Sequence, residues 1–434
     1  MERYINSFAT ENDIQIALQN GELLKPYVAY IEDADRIDWN SKEIVDYTTE
    51  YLTFNILSAG TINWTTSNTD IAKTIDYKLN NGEWTPITSN TGSSAPTITV
   101  NSGDKLQFRG NNTQYANSSS NYNSFSGSTA SFEVEGNIMS LIYGDNFKNN
   151  LTISSTYTFA NLFRNCTNLV SAENLVLPAT TLADWCYYNM FYRCTNLTTA
   201  PKELPATKLA SSCYQNMFTN CTKLTTAPEL PATTLVNSCY YSMFYGCTSL
   251  ATAPALPATT LANSCYGSMF NYCSSLKTAP ALPATTLVNG CYYHMFYNCT
   301  SLTTAPVLPA TKLAEDCYRE MFGECNSLTT VPELPATTLA EGCYRSMFMG
   351  CKSLATVSEL PATTLATFCY DSMFYGCTSL NYIKCLATDI SAMYCTSGWV
   401  YGVTSTGTFV KNPSMTSWTT GTGGIPKGWT VQDA

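Results

Sequence analysis

Apolar and polar positions in the second half of the chain follow a block that keeps returning. In LANSCYGSMFNYC, residues 261–273, Leu261, Cys265, Met269 and Cys273 step by four, and Tyr266 and Phe270 lie beside them. Apolar residues spaced in this way share one face of a 3.6-residue period, so the block predicts an amphipathic helix, with Thr259 and Thr260 placed to cap its N-terminus. After Cys273 come a turn and SLKTAPALP, which must supply a parallel strand leading to the next block. Proline has no N–H to give to a ladder, yet Pro254, Pro280 and Pro306 recur at one register and Pro257, Pro283 and Pro309 at another. Only about three or four paired residues per strand are therefore expected, with the prolines at the strand ends.

The first cysteine of the block stands at 186, 213, 239, 265, 291, 317, 343 and 369, and from Cys213 to Cys369 the spacing is 26 residues without slippage. TFANLFRNC, ending at Cys166, is a degenerate leading copy. A fixed period in the twenties marks units that bury their apolar faces only against their neighbours. The fold class expected for residues 138–395 is a mixed α/β solenoid, an array of 26-residue coils each made of a short parallel strand and a helix.

The order Phe-x-x-Cys-x-x-Leu, short apolar strand, Pro, then a segment ending in a further Phe-x-x-Cys resembles the leucine-rich repeats of the BspA-like family of bacterial and phage surface proteins. The likeness covers roughly residues 150–385. The chain departs from the usual repeat by one inserted residue in the strand and by APALPATTL where an Ile-rich strand is commoner. The resemblance implies adhesion or recognition and no catalysis.

Three further segments differ in style. Residues 51–137 hold seven short alternating runs, YLTFNILS, TINWTT, KTIDYKL, EWTPIT, TITV, KLQFRG and SFEVEG, with Asn81-Gly82 as a hairpin signal, and predict a small Ig-like β-sandwich. Between the last two runs, residues 111–130 are so polar that they read as a long mobile loop. Residues 396–434 break the period and predict a β-rich cap, in which Trp399, Phe409, Trp418 and Trp429 plug the open end of the array. The phrases GTFVKN and GIPKGWTV in this segment also resemble the close of BspA-like arrays. Residues 1–50 contain a helical pattern, ENDIQIALQNGEL, an alternating PYVAYIE that predicts a strand, and an acidic run ending in Trp39. PYVAYIEDADRIDWN resembles a leader shared by structural proteins of tailed phages of gut bacteria. Two readings of this segment stand: an attachment piece bearing Asp33, Asp35, Asp38 and Trp39, or an acidic cap packed on the sandwich.

Charge sharpens these readings. The net charge is −10, and residues 1–50, with eleven Asp or Glu against four Lys or Arg, contribute −7 of it. A nucleic-acid binder would need a basic face, so that class is set aside. No run of apolar residues is long enough to span a membrane. The opening MERYINSFATENDIQ lacks the apolar core of a secretory signal, which leads to the expectation of release by a route such as virion assembly followed by lysis. The nineteen cysteines include no Cys-x-x-Cys pair and meet only one histidine, so no zinc-finger spacing is present. Uniform columns offer no unique disulfide partner, so reduced, buried thiols are expected, with a bridge left open between Cys385 and Cys395.

His294 fills a slot held elsewhere by Ser242, Ser268, Glu320 and Ser346, which reads as a solvent-facing position and not as a catalytic one. No cofactor, metal or catalytic residue is expected. Two columns are candidates for recognition. One precedes each Leu-Pro and runs Glu203, Glu229, Ala255, Ala281, Val307, Glu333, Glu359, facing outward, acidic at both ends and apolar in the middle. The other contains Tyr240, Tyr266, Tyr292 and Tyr318, which either bind sugar rings or form a structural ladder. The function expected is a non-catalytic virion surface or fibre protein. Its N-terminal segment would meet a virion structural protein and its repeats a host surface protein or glycan, with association into a homo-oligomer plausible for a fibre. The alternatives are a bacterial cell-surface or secreted adhesin and a purely structural spacer.

Overall fold

The computed structural model describes residues 46–434 and, before them, two short parallel strands, β1 (Asn6–Phe8) and β2 (Ala29–Ile31). β2 falls within the strand expected at PYVAYIE; the expected helix ENDIQIALQNGEL and the candidate residues Asp33, Asp35, Asp38 and Trp39 lie outside the described residues. The chain divides into two units, Met1–Asp46 and Tyr47–Ala434, and all that follows concerns the second.

All seven alternating runs form strands. In chain order they are β3 (Leu52–Ile56), β4 (Gly60–Asn63) continuing as β5 (Thr65–Thr66), β6 (Thr74–Leu79), β7 (Thr85–Thr88), β8 (Thr97–Val100), β9 (Lys105–Arg109) and, after a two-residue β10 (Asn123–Ser124), β11 (Phe132–Asn137). β11, β3, β9, β6 and β7 follow one another as antiparallel neighbours in one sheet, while β4 pairs with β8 and β5 with β10. The alternation does its expected work: Leu106 and Phe108 on β9 point into the core, against Phe54 of β3 and Ile62 of β4. The turn between β6 and β7 closes with the Gly82 N–H on the Leu79 carbonyl, and Asn80 takes the positive φ, 53°.

Three expectations need correction. The arrangement is five antiparallel strands in one sheet with two small pairs, not the four-against-three of an Ig-like sandwich. The reason lies at the edge: β11 is not free but pairs in parallel with β12 (Leu169–Val176), the first strand of the repeats, from Phe132 opposite Leu169 to Asn137 opposite Val176. The expected border after residue 137 is thus crossed by a backbone ladder, and one apolar core runs through both parts. The polar segment 111–130 is also no mobile loop. Tyr115 and Phe125 are buried at 0 % exposure, and the buried Asn123 amide is satisfied by the backbone carbonyls of Tyr115 at 2.8 Å and Ile71 at 3.0 Å.

The helix expected in each block is absent. Among the described residues the one α-helix is α1 (Ser140–Tyr143), outside the repeats. The blocks are ribbons of overlapping four-residue turns. In one coil the N–H groups of Cys239, Tyr241, Met243, Tyr245 and Cys247 bond three residues back, to the carbonyls of Val236, Ser238, Tyr240, Ser242 and Phe244. The alternate N–H groups, of Ser238, Tyr240, Ser242, Phe244 and Gly246, reach across to the carbonyls of Asn263, Cys265, Gly267, Met269 and Asn271 in the next coil. Every fourth residue takes a left-handed conformation: Ser238, Ser242 and Gly246 here have φ of 53°, 52° and 70°. This explains the recurrence of Ser, Asn, Asp and Gly at those slots, the residues that tolerate positive φ best.

The strand side is sparser than expected. Coils carrying the prolines touch through single bridges, such as Thr252 with Thr278, Thr278 with Thr304 and Thr304 with Thr330. Where the proline is missing from the strand, longer ladders form: β12, and at the far end β13 (Tyr382–Cys385), β14 (Thr408–Lys411) and β15 (Thr430–Asp433), which pair in parallel. Loss of one N–H and a fixed φ at each proline account for the difference. The period also does not break at residue 396. The turn ribbon continues through Gly398 and Gly402, both left-handed, and places Trp399 against both Tyr370 and Phe374 at 6.1 Å. Trp399 stacks in turn on Trp418 at 5.7 Å and donates its indole N–H to the Gly424 carbonyl.

Candidate recognition surface

Each coil divides into an inner set that recurs and an outer set that varies. Within LANSCYGSMFNYC the inner set is Cys265, Tyr266, Met269, Phe270 and Cys273, joined by Leu276 and all essentially inaccessible to solvent. The tyrosines form a continuous stack, Tyr187, Tyr214, Tyr240, Tyr266, Tyr292, Tyr318, Tyr344, Tyr370, with ring centroids 5.5 to 6.1 Å apart. A phenylalanine column runs beside it, Phe244 on Phe270 on Phe296, each at 5.6 Å. As a sugar-binding surface the column Tyr240, Tyr266, Tyr292 and Tyr318 is therefore corrected: each ring is about 1 % exposed and is covered on both faces by its neighbours. Of the two readings open in the sequence, the ladder is the one observed. Both columns enter the N-terminal sandwich, through Phe159 onto Tyr115 and through Phe163 onto Phe125, and Trp64 touches both of those residues.

All nineteen cysteines are free and buried, Cys385 and Cys395 included. Burial pushes the thiols of Cys265 and Cys317 up to about 12. Among the described residues no three His, Cys, Asp or Glu side chains converge to hold a metal, and no helix is long and apolar enough to cross a membrane.

The slot of His294 is not a solvent-facing one. Ser242, Ser268 and Ser346 are buried there, and what the slot requires is a left-handed backbone, with φ between 51° and 54° at Ser242, Ser268, His294, Glu320 and Ser346. The His294 ring lies 2.9 Å from the Glu320 carboxylate. Burial works to raise the Glu320 pKa, but His294 and Arg319 outweigh it and hold the carboxyl below its ordinary value.

On the strand side the variable column stands in water. Glu203, Glu229, Ala255, Ala281, Val307, Glu333 and Glu359 are all exposed, Val307 to 78 %. At its middle, Ala281, Pro283, Ala305, Pro306 and Val307 line a shallow apolar groove of about 460 Å³. At its end Glu359 pairs with Lys384 at 2.7 Å.

The turn side carries aromatics outside the core that the sequence reading missed: Tyr272, which is exposed, and the half-buried Tyr245, Tyr293 and Tyr297. The available signal was variation. Position 293 is Tyr where the aligned residues are Gly267 and Arg319, so its side chain cannot be part of the recurring core.

From Cys213 to Cys369 each coil is thus 26 residues long, with an inner Phe-x-x-Cys-x-x-Leu, and stacks on the next without a helix. The description "BspA type Leucine rich repeat region" matches the chain in six copies, over residues 146–277, 187–329 and 292–395. The chain belongs to the BspA-type leucine-rich repeat family. Its repeat leucines, Leu250, Leu276, Leu302 and Leu328, are fully buried, each with its N–H on the carbonyl of the cysteine three residues before it. No curated protein matches this BspA-type chain.

Proposed function

We propose that this BspA-type chain is a non-catalytic surface protein whose coils present an adhesion face, and that it is carried as a fibre or decoration on a virion. The observation that supports adhesion is the division of labour within each coil. Recurring residues such as Met269, Phe270 and Cys273 are buried, whereas Glu229, Ala255, Ala281, Val307, Glu333 and Glu359 vary and stand exposed. A fold that commits its constant positions to packing leaves the variable ones to set specificity. The strand-side column suits a host surface protein that offers an apolar anchor between basic groups, since buried apolar contact supplies most interface energy and charge guides approach. The virion assignment is supported by the resemblance of PYVAYIEDADRIDWN to phage structural leaders, with Asp33, Asp35, Asp38 and Trp39 as the attachment residues to a virion structural protein.

Retention of the intact chain on immobilised host surface proteins, mucins and polysaccharides tests adhesion; passage through all of them would overturn it. Removal of residues 1–45 tests the virion role, with loss of incorporation into particles expected and normal incorporation counting against it.

A further inference from the structure

Three consecutive coils carry a second aromatic row, on the turn side, in which Tyr272 is exposed and Tyr245 and Tyr297 are half-buried. Tyr245, Tyr272 and Tyr297 follow one another at centroid distances of 5.6 and 6.0 Å, and Tyr272 is 43 % exposed. Tyr293 stacks on His294 at 3.8 Å, and His294 lies 5.3 Å from Tyr297. Two glycines make room for these rings. A Cβ on Gly323 would stand 2.8 Å from the ring of Tyr297, and one on Gly267 would stand 2.8 Å from that of Tyr241. Both rings therefore rest against the backbone of the following coil.

Tyr272 does not suit its slot. Its φ is 62°, in the left-handed region where five of the seven aligned residues are Asn220, Gly246, Asn298, Gly350 and Gly376, the other two being Arg193 and Glu324. A large side chain there crowds the backbone in a way that glycine and asparagine avoid. In its own coil the residue aligned with Tyr245 and Tyr297 is Asn271, which is buried, so without Tyr272 the row would have a gap at its centre. Backbone strain kept where cheaper residues serve elsewhere points to a use for the ring.

The surroundings specify what the ring would meet. From Ala232 to Ala310 there is no Asp or Glu, and the one Lys or Arg, Lys277, sits on the strand side next to the Thr252–Thr278 bridge. Beside Tyr293 a hollow of about 400 Å³ is lined by the exposed amides of Asn263 and Asn289, the latter donating to Glu315 at 3.3 Å, with Asp316 and Arg319 also at its wall. The rings succeed one another at centroid spacings of 5.6 and 6.0 Å, tilted by 47° and 50°. An extended chain of pyranose units presents apolar C–H faces at a comparable repeat and hydroxyls around its rim, for which aromatic faces and amides are suited. Arg319 lies over the ring of Tyr293 at 5.4 Å, but among the described residues no cation lies over Tyr245, Tyr272 or Tyr297.

We propose that the row Tyr245, Tyr272, Tyr297, with Tyr293 at its side, binds a neutral polysaccharide laid across successive coils. This rests on the adhesion reading and adds to it a face, distinct from the strand-side column, and a ligand class.

The test is affinity gel electrophoresis of the intact chain in gels containing amylopectin, mannan or xylan, with alginate as the anionic control. Retardation by at least one neutral polymer is expected. Tyr272→Asn should weaken it at least several-fold while raising the thermal unfolding midpoint, because it removes both the ring and the strain; Tyr272→Phe should keep it, and Lys352→Ala, at an exposed position of another coil, should leave it unchanged. Free migration in every neutral gel, retardation by alginate alone, or undiminished retardation of Tyr272→Asn would each overturn the proposal. A chain that ignores the neutral polymers but is still retained on host surface proteins keeps the adhesion reading and loses this one.

Discussion

Cys273 donates its thiol proton to the carbonyl oxygen of Phe244, 3.1 Å away in the preceding coil, and the same oxygen already accepts the backbone N–H of Cys247. The contact repeats from Cys221 with Phe191 to Cys377 with Phe348. These thiols fill the second lone pair of a buried carbonyl, which an alanine of similar size would leave empty. Cys273→Ala is expected to cost about 1–2 kcal/mol in urea denaturation, from the lost bond and a small cavity. An unchanged midpoint would show that the thiol only fills space.

The same burial sets a pH dependence. The thiols of Cys265, Cys317, Cys325 and Cys377 are pushed up to about 12, whereas a thiol in an unfolded chain ionises near 8.5. Between these values the unfolded state releases protons that the folded state retains, so stability falls as pH rises, by about 1.4 kcal/mol per pH unit for each such thiol. The contribution is intact below about pH 8.5 and is lost on the way to 12. Urea midpoints should be flat with respect to these groups at neutral pH and drop steeply above about pH 9. A profile still flat at about pH 10.5 would contradict thiols buried as protonated groups.

Glycine substitutions separate the turn ribbon from a helix by sign. In a helix interior Gly→Ala stabilises by about 1 kcal/mol. Gly246 stands at φ 70°, where an added Cβ would run into the Asn220 side chain, so Gly246→Ala should destabilise by about 1–2 kcal/mol. Ser268→Gly, at φ 54°, should be nearly neutral by the same measurement.

Phe125 lies in a stretch whose composition suggests mobility, yet it packs on Phe54, Trp64, Phe108 and Phe163. Phe125→Ala is expected to cost about 3–5 kcal/mol, a core-sized loss. Thermal denaturation showing less than about 1 kcal/mol would return the segment to the status of a loop.

Trp399 covers the last rung of both aromatic columns. Trp399→Ala should lower the unfolding midpoint and promote association, visible by light scattering, because it exposes Tyr370 and Phe374 at the end of the array. A soluble monomer of unchanged stability would show that the cap rests on other residues.

What could be read in the residues follows from which patterns are unambiguous. The 26-residue period, the seven short strands and the closing tryptophans each have one physical interpretation, and each is found in the fold. Apolar spacing of four does not: Cys265, Met269 and Cys273 align equally well on a helix and on a ribbon whose turns repeat every four residues. The discriminating signal was polar, the Ser, Asn or Gly at every fourth position, as in Ser238, Ser242 and Gly246. The buried tyrosines were legible as a column but not as an inner one, because burial depends on coils that meet only in space. Tyr272 was hidden for a related reason, since it reaches its row from the slot next to the aligned one.

The cross-coil backbone hydrogen bonds of the turn ribbon point one way. The peptide unit between Cys239 and Tyr240 accepts from Tyr214 and donates to Cys265, and the unit between Cys265 and Tyr266 continues the line to Cys291. Five such files of collinear peptide dipoles therefore run through the array, and neighbouring units polarise one another as in a helix. The carbonyl ends of two of the five are met by N–H groups of Tyr115 and Phe125, which bond Thr158 and Leu162 at 2.8 and 2.9 Å. The polar stretch 111–130 thus partly neutralises the electronegative pole of a macrodipole perpendicular to its own chain direction, and each coil added to the array would strengthen the field that this stretch has to quench.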